Sequence, residues 1–181
     1  DVELKEPHLW DIQDPYRYRL KSCIYKKGKL TDTHTVFFGV RDIRFDKDTG
    51  FYLNGKNVKI KGVCCHQDHA GLGIAVPDKV WEYRLLKIKE MGGNALRCSH
   101  NPPAPAVLDM CDSLGILVMD ETRKLSSSKE NVEQLCSMIK RDRNHPSIIM
   151  WSVGNEEIDV QDKEEGGRLA QYMKMEVRRD R

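Results

Sequence analysis

From Tyr16 to Phe38 the chain alternates apolar and polar positions, with Tyr16, Tyr18 and Leu20 on one face and a break at Lys26-Lys27-Gly28. Successive side chains of a strand point to opposite faces, so this pattern predicts a β-hairpin, opened by the turn pair Asp14-Pro15. A second short hairpin is predicted where Ile43, Phe45, Phe51 and Leu53 flank the turns Asp48-Thr49-Gly50 and Asn54-Gly55. From Val58 the texture changes. Short apolar runs at 58–65, 95–98, 116–119 and 148–153 alternate with amphipathic stretches at 78–91, 104–114, 131–141 and 164–178. In the first of these stretches Trp81, Leu85 and Ile88 recur at helical spacing, Asp78 is placed to act as N-cap, and Gly92-Gly93 stop the helix. Four β/α repeats predict an α/β fold with a parallel sheet covered by helices, either a barrel or an open doubly wound sheet.

The polar residues favour the barrel. His66 and Asp68 follow the first run, Ser99 and His100 the second, Asp120 and Glu121 the third, and Asn155, Glu156 and Glu157 the fourth. Every unit thus ends in ionisable groups, as in barrel enzymes, whose sites are built from successive loops after the strands. An open sheet would gather them at a single switch point. Eight units need roughly 250 residues, so four predict the first half of a TIM (β/α)8 barrel.

Composition narrows the choice of partner. The 181 residues are 39% hydrophobic, enough for a packed core, and 30 Lys and Arg are scattered among 28 Asp and Glu. No basic stripe or long apolar run is present, so neither nucleic acid nor membrane is expected as a partner, and a small neutral molecule is. The acidic, polar start lacks a signal-peptide layout, and a first residue other than Met points to preceding sequence. Six cysteines without CxxC spacing are read as reduced, buried apolar residues, which favours the cytoplasm. Cys64, Cys65, His66, His69 and His100 invite a zinc reading, but their spacing fits no common zinc pattern.

Chemistry enters at Trp151-Ser152-Val153-Gly154-Asn155-Glu156-Glu157. A carboxyl group beside an amide at a strand end suits glycoside cleavage, where an acid protonates the glycosidic oxygen while a donor holds the sugar. The same residues would equally serve as a helix start, Asn155 capping and two acids favouring the dipole. Arg97 could merely satisfy barrel carboxylates, and His66 and Asp68 could form a surface turn.

Three stretches carry a resemblance: FYLNGKNVKIKGVCCHQDHAGLG (51–73), NALRCSHNPPAPAVLDMCDSLGILVMDET (94–122) and RDRNHPSIIMWSVGNEE (141–157). Together they resemble glycoside hydrolase family 2, the family of β-galactosidases, β-glucuronidases and β-mannosidases. LWDIQDPYRYRL and FFGVRDIRF, near the start, are similar to the last strands of the immunoglobulin-like domain preceding the family's barrel. The resemblance implies residues 1–41 as the end of that β-sandwich and 42–181 as the truncated catalytic barrel. It implies Glu156 as the general acid/base, and as substrate-binding residues Asn155 at the sugar 2-hydroxyl, Arg97 and His100 around the nucleophile and sugar, and His66 and Asp68 after the first strand. Arg141 to Pro146 precede the fourth strand and are read as architecture.

Two departures qualify the match. The Glu-x-His that helps some galactosidases bind magnesium is replaced by Thr122 to Ser128, so no metal or cofactor is expected. The family's nucleophile lies on a seventh strand, and this chain stops after the fourth unit. The expected activity is a retaining exo-β-glycosidase, galactosidase-like from RCSHNPP and HQDHAG. Alternatives are a β-glucuronidase or a noncatalytic carbohydrate-binding module. A half-barrel with open edges is further expected to form homo-oligomers.

Overall fold

The computed structural model describes residues 3–158 and 160–180. Strands β1 (Tyr18–Lys26) and β2 (Lys29–Phe38) form the first hairpin, with Tyr18 opposite Phe38 and a bulge at Ile24/Tyr25. The two loop residues, Lys27 and Gly28, both have positive φ, 50° and 77°. That is the turn whose twist matches a hairpin, and glycine at the second position makes it accessible. Strands β3 (Ile43–Asp46), β4 (Gly50–Leu53) and β5 (Lys56–Asn57) make a small antiparallel sheet.

The β/α units follow in strict order. They are β6 (Gly62–His66) and α1 (Asp78–Glu90), β7 (Ala95–Ser99) and α2 (Pro105–Leu114), β8 (Leu117–Glu121) and α3 (Lys129–Asp142), and β9 (Ile148–Ser152) and α4 (Glu164–Asp180). The four strands form one parallel sheet in the order β6-β7-β8-β9. Outward-facing Leu96, Cys98 and Val118 pack with Trp81, Leu85 and Ile88 of α1 and Val107, Leu108 and Cys111 of α2. Inward-facing Arg97 and Glu121 meet over the concave face. At the strands' N-terminal ends Ala95 and Leu117 pack on Trp10, Phe51 and Leu53, so the small sheet plugs the bottom of the barrel.

Residues 145–147 fasten that lower end, where His145 Nδ1 meets Asp112 Oδ2 at 2.6 Å, whereas Arg141, bidentate to Asp142 through Nε and Nη2 at 2.6 and 2.7 Å, donates to the Pro103 carbonyl after β7. Asp112 also accepts from the Ser147 amide at 3.1 Å, while its carbonyl accepts from Trp10 Nε1 at 2.8 Å. Arg41 donates to the carbonyls of Pro146 and Ile148. These bonds tie the segment leaving the hairpin to the foot of β9.

The structure amends several expectations. β6 starts at Gly62 instead of Val58, because Asn94 Oδ1 accepts from Lys61 N at 2.7 Å and Asn94 Nδ2 donates to Lys59 O at 3.0 Å, a side-chain clamp in place of ladder pairing. Asp78 is the first helical residue of α1, Pro77 being the N-cap without a side-chain bond. Of the six free cysteines only Cys98 and Cys111 are buried; Cys23 and Cys64 are exposed and Cys65 and Cys136 half-buried. Cys23 lies on the hairpin and Cys64 on the sheet's open concave face, where no helix covers them. Among the described residues no helix is long and apolar enough to cross a membrane.

Candidate active site

A carboxylate that the sequence reading left out of the site organises it. Glu121 ends β8 fully buried, and Arg97 Nε on the neighbouring strand donates to its Oε2 at 2.8 Å. His100 Nδ1 meets its Oε1 at 2.6 Å, and Ser152 Oγ on β9 lies 2.8 Å from Oε2. Burying a charge this completely costs several kcal/mol unless it is paired and hydrogen-bonded, and here the two strands flanking β8 supply the partners, Arg97 and His100 from β7 and Ser152 from β9. The Glu121 hydrogen bond raises the pKa of Arg97 against the opposing effect of burial.

From Arg97 the network reaches the fourth strand. Its Nη2 donates to Asn155 Oδ1 at 2.8 Å. Arg97 therefore does satisfy a barrel carboxylate, and it also orients the amide beside Glu156. Glu156 is exposed, and its carboxylate has no hydrogen-bond partner among the described residues. The adjacent Glu157 is half-buried and accepts from the Leu125 amide at 3.1 Å, which pins the β9–α4 loop to the β8–α3 loop. Two consecutive acids thus differ in setting, one free for solvent or ligand and the other structural.

On the other side the His66 ring stands edge-on to His100, centroids 5.0 Å apart. Asp68 is not brought into this group. It is exposed, and Arg84 holds its backbone carbonyl, along with that of His66, from α1. The structure therefore gathers Arg97, His100, His66 and Asn155, leaves Asp68 in a surface turn, and adds Glu121 and Ser152. Continuing the alternation Leu117, Met119, Glu121 would have placed Glu121 on the concave face. The sequence marks it as a strand-end acid but gives no sign that Arg97, His100 and Ser152 converge on it.

Among the described residues one set of potential metal ligands, Asp109, Asp112 and His145, converges, at the opposite end of the barrel. Asp112 there is already committed to His145 and Ser147.

Comparison with known proteins places this arrangement. Residues 45–131 and 123–177 match the TIM barrel domain model of glycosyl hydrolases family 2, and residues 1–41 match a further model described as glycosyl hydrolases family 2. The chain belongs to glycoside hydrolase family 2. It is 43% identical over 170 residues to a β-galactosidase of Bacteroides ovatus, covering 87% of this chain and 20% of that protein. To a β-glucuronidase of Bacteroides fragilis it is 34% identical over 186 residues, covering 94% of this chain and 26% of the relative. A crystal structure of a family 2 member from Bacteroides cellulosilyticus superposes with a TM-score of 0.85 at 38% identity, over 97% of this chain and 24% of that one. The chain thus spans about a fifth of the length of the B. ovatus relative. Its four-stranded sheet is part of the family's barrel, and its hairpin belongs to the sandwich domain before it.

Proposed function

We propose that this chain supplies the acid/base half of a retaining exo-β-glycosidase acting on terminal β-galactosides. One observation carries the reading: Glu156 projects free at the end of the fourth parallel strand, beside an amide held in place by Arg97 and Glu121. Glu156 protonates the departing glycosidic oxygen and then, as its conjugate base, activates water against the glycosyl-enzyme ester. Asn155 holds the sugar 2-hydroxyl, and His100 and His66 line the pocket.

Retention needs a second carboxyl group about 5 to 5.5 Å from the first. Glu121 does not fit that role, since three donors and full burial leave it no face for a sugar. The nucleophile is assigned to the strand where the family carries it, outside these four.

A β-glucuronidase is the second reading, favoured by relatives such as that of B. fragilis. The first reading rests on the galactosidase-like stretches Arg97 to Pro103 and His66 to Gly71.

The test uses the full-length enzyme. Glu156→Gln should slow alkyl galactosides, whose leaving groups need protonation, by about 10²- to 10⁴-fold while sparing activated aryl glycosides. Equal losses on both would remove Glu156 as acid. Wild-type preference for p-nitrophenyl β-glucuronide over the β-galactoside would promote the second reading.

A further inference from the structure

We propose that Glu121 is the positioning residue of this site: it fixes the tautomer of His100 and, through Arg97, the orientation of the Asn155 amide. The proposal rests on the glycosidase reading above.

The argument is one of donors and acceptors. An ionised carboxylate only accepts hydrogen bonds, so Glu121 Oε1, 2.6 Å from His100, requires the proton on Nδ1. In the neutral ring Nε2 is then an acceptor, and it is the nitrogen turned away from Glu121. Arginine, in contrast, only donates. Its Nη2 at 2.8 Å from Asn155 requires the amide oxygen on that side, which turns the Asn155 NH2 away from Arg97.

Without Glu121, neither constraint would hold. Arg97 carries 31% of its side-chain surface exposed, and its Nε bond to Glu121 at 2.8 Å fixes the guanidinium plane. The site therefore offers a sugar one oriented amide donor and one imidazole acceptor, both set by a carboxylate that touches no substrate. Ser152 Oγ, 2.8 Å from Glu121 Oε2, holds the hub from β9.

Glu121→Gln is the informative change, because the volume is kept while one acceptor becomes a donor. Whichever way the new amide turns, its NH2 faces either Arg97 Nε–H, and that bond is lost, or His100 Nδ1, which must then give up its proton and accept, reversing the tautomer. In the full-length enzyme, kcat/KM for a β-galactoside should fall by about 10²-fold, the scale of a misplaced reacting group. Most of that loss should vanish on the matching 2-deoxy-galactoside, which has no hydroxyl for Asn155 to hold. The loss should likewise be small when Glu121→Gln is added to Asn155→Ala, since coupled residues do not act additively. A crystal structure of Glu121→Gln should show either Arg97 displaced or His100 in place with Nε2 turned from acceptor to donor and its hydrogen-bond partners changed.

Equal losses on both sugars, full additivity with Asn155→Ala, or unmoved Arg97 together with unchanged hydrogen-bond partners of His100 Nε2 would each overturn the proposal. Should the wild-type enzyme cleave neither galactoside nor glucuronide, the glycosidase reading fails, and the crystal structure still decides the role of Glu121. Ser152→Ala guards against misfolding: it removes one bond from the hub without placing a donor against a donor, and its kcat/KM should fall by less than that of Glu121→Gln.

Discussion

At the scale of single residues, Asp120 stands out because it is an acid with no exposed surface directly behind Glu121. Its Oδ1 accepts from the Glu121 amide at 2.9 Å, and its side chain shares a hydrogen bond with Asp142, which requires a proton between the two carboxyl groups. Burial, and then the neighbouring Asp142, push its pKa up from 3.8 to about 8. Arg141, already bidentate to Asp142, offsets only part of this. The folded protein consequently keeps this proton at pH values where the unfolded chain has released it. The stabilisation is complete below about pH 4, falls as pH rises, and is lost once the pH passes about 8. Asp120→Asn mimics the protonated acid and keeps its acceptor. Urea midpoints across this range should decline less steeply for the variant than for the parent, the gap opening toward alkaline pH. Parallel curves would show that Asp120 ionises freely in the folded state.

Among elements, the loops after β8 and β9 depend on each other. A Cβ added to Gly154 would lie 2.7 Å from Leu125 Cβ and 2.9 Å from Leu125 N, closer than real Cβ atoms come. Glu157 binds that same Leu125 amide. Gly154→Ala should therefore push the Asn155-Glu156 segment off its seat and reduce kcat/KM by about 10²-fold, with KM for activated substrates changing less than kcat. Wild-type kinetics would mean that the loop relaxes at no cost. Order and type of the β/α units were legible in the chain because period-two and helical patterns report which faces are buried, as at Trp81, Leu85 and Ile88. Asn155 and Glu156 were legible as a strand-end pair. What escaped was set by side chains far apart in sequence: the Asn94 clamp that delays β6, and Glu121, whose burial depends on Arg97, His100 and Ser152 on other segments. Asp68 stands in the exposed turn after β6, where Arg84 holds the backbone carbonyls of His66 and Asp68, an arrangement that only the fold reveals.

For the molecule as a whole, the sheet order leaves β6 and β9 each paired on one side. Along β9 runs a groove of about 590 Å³ lined by Phe45, Ile149, Trp151 and Val177, and on the hairpin Ile24 and Tyr25 are 60% and 63% exposed. Unpaired strand edges beside apolar surface seek partners. The isolated 181-residue chain is expected to self-associate and to leave β-galactosides uncleaved, which sedimentation and a hydrolysis assay would check. A monodisperse monomer with appreciable turnover would contradict both expectations. The polar hub has a different relation to the chain. Glu121 finds Arg97 only 24 positions away, His100 only 21 and Ser152 only 31, all on neighbouring segments joined by single crossovers. Such short separations keep loop-closure entropy small. During synthesis, this fully buried carboxylate acquires its partners as soon as β9 docks, so the growing chain need not hold it unpaired in its interior while awaiting distant sequence.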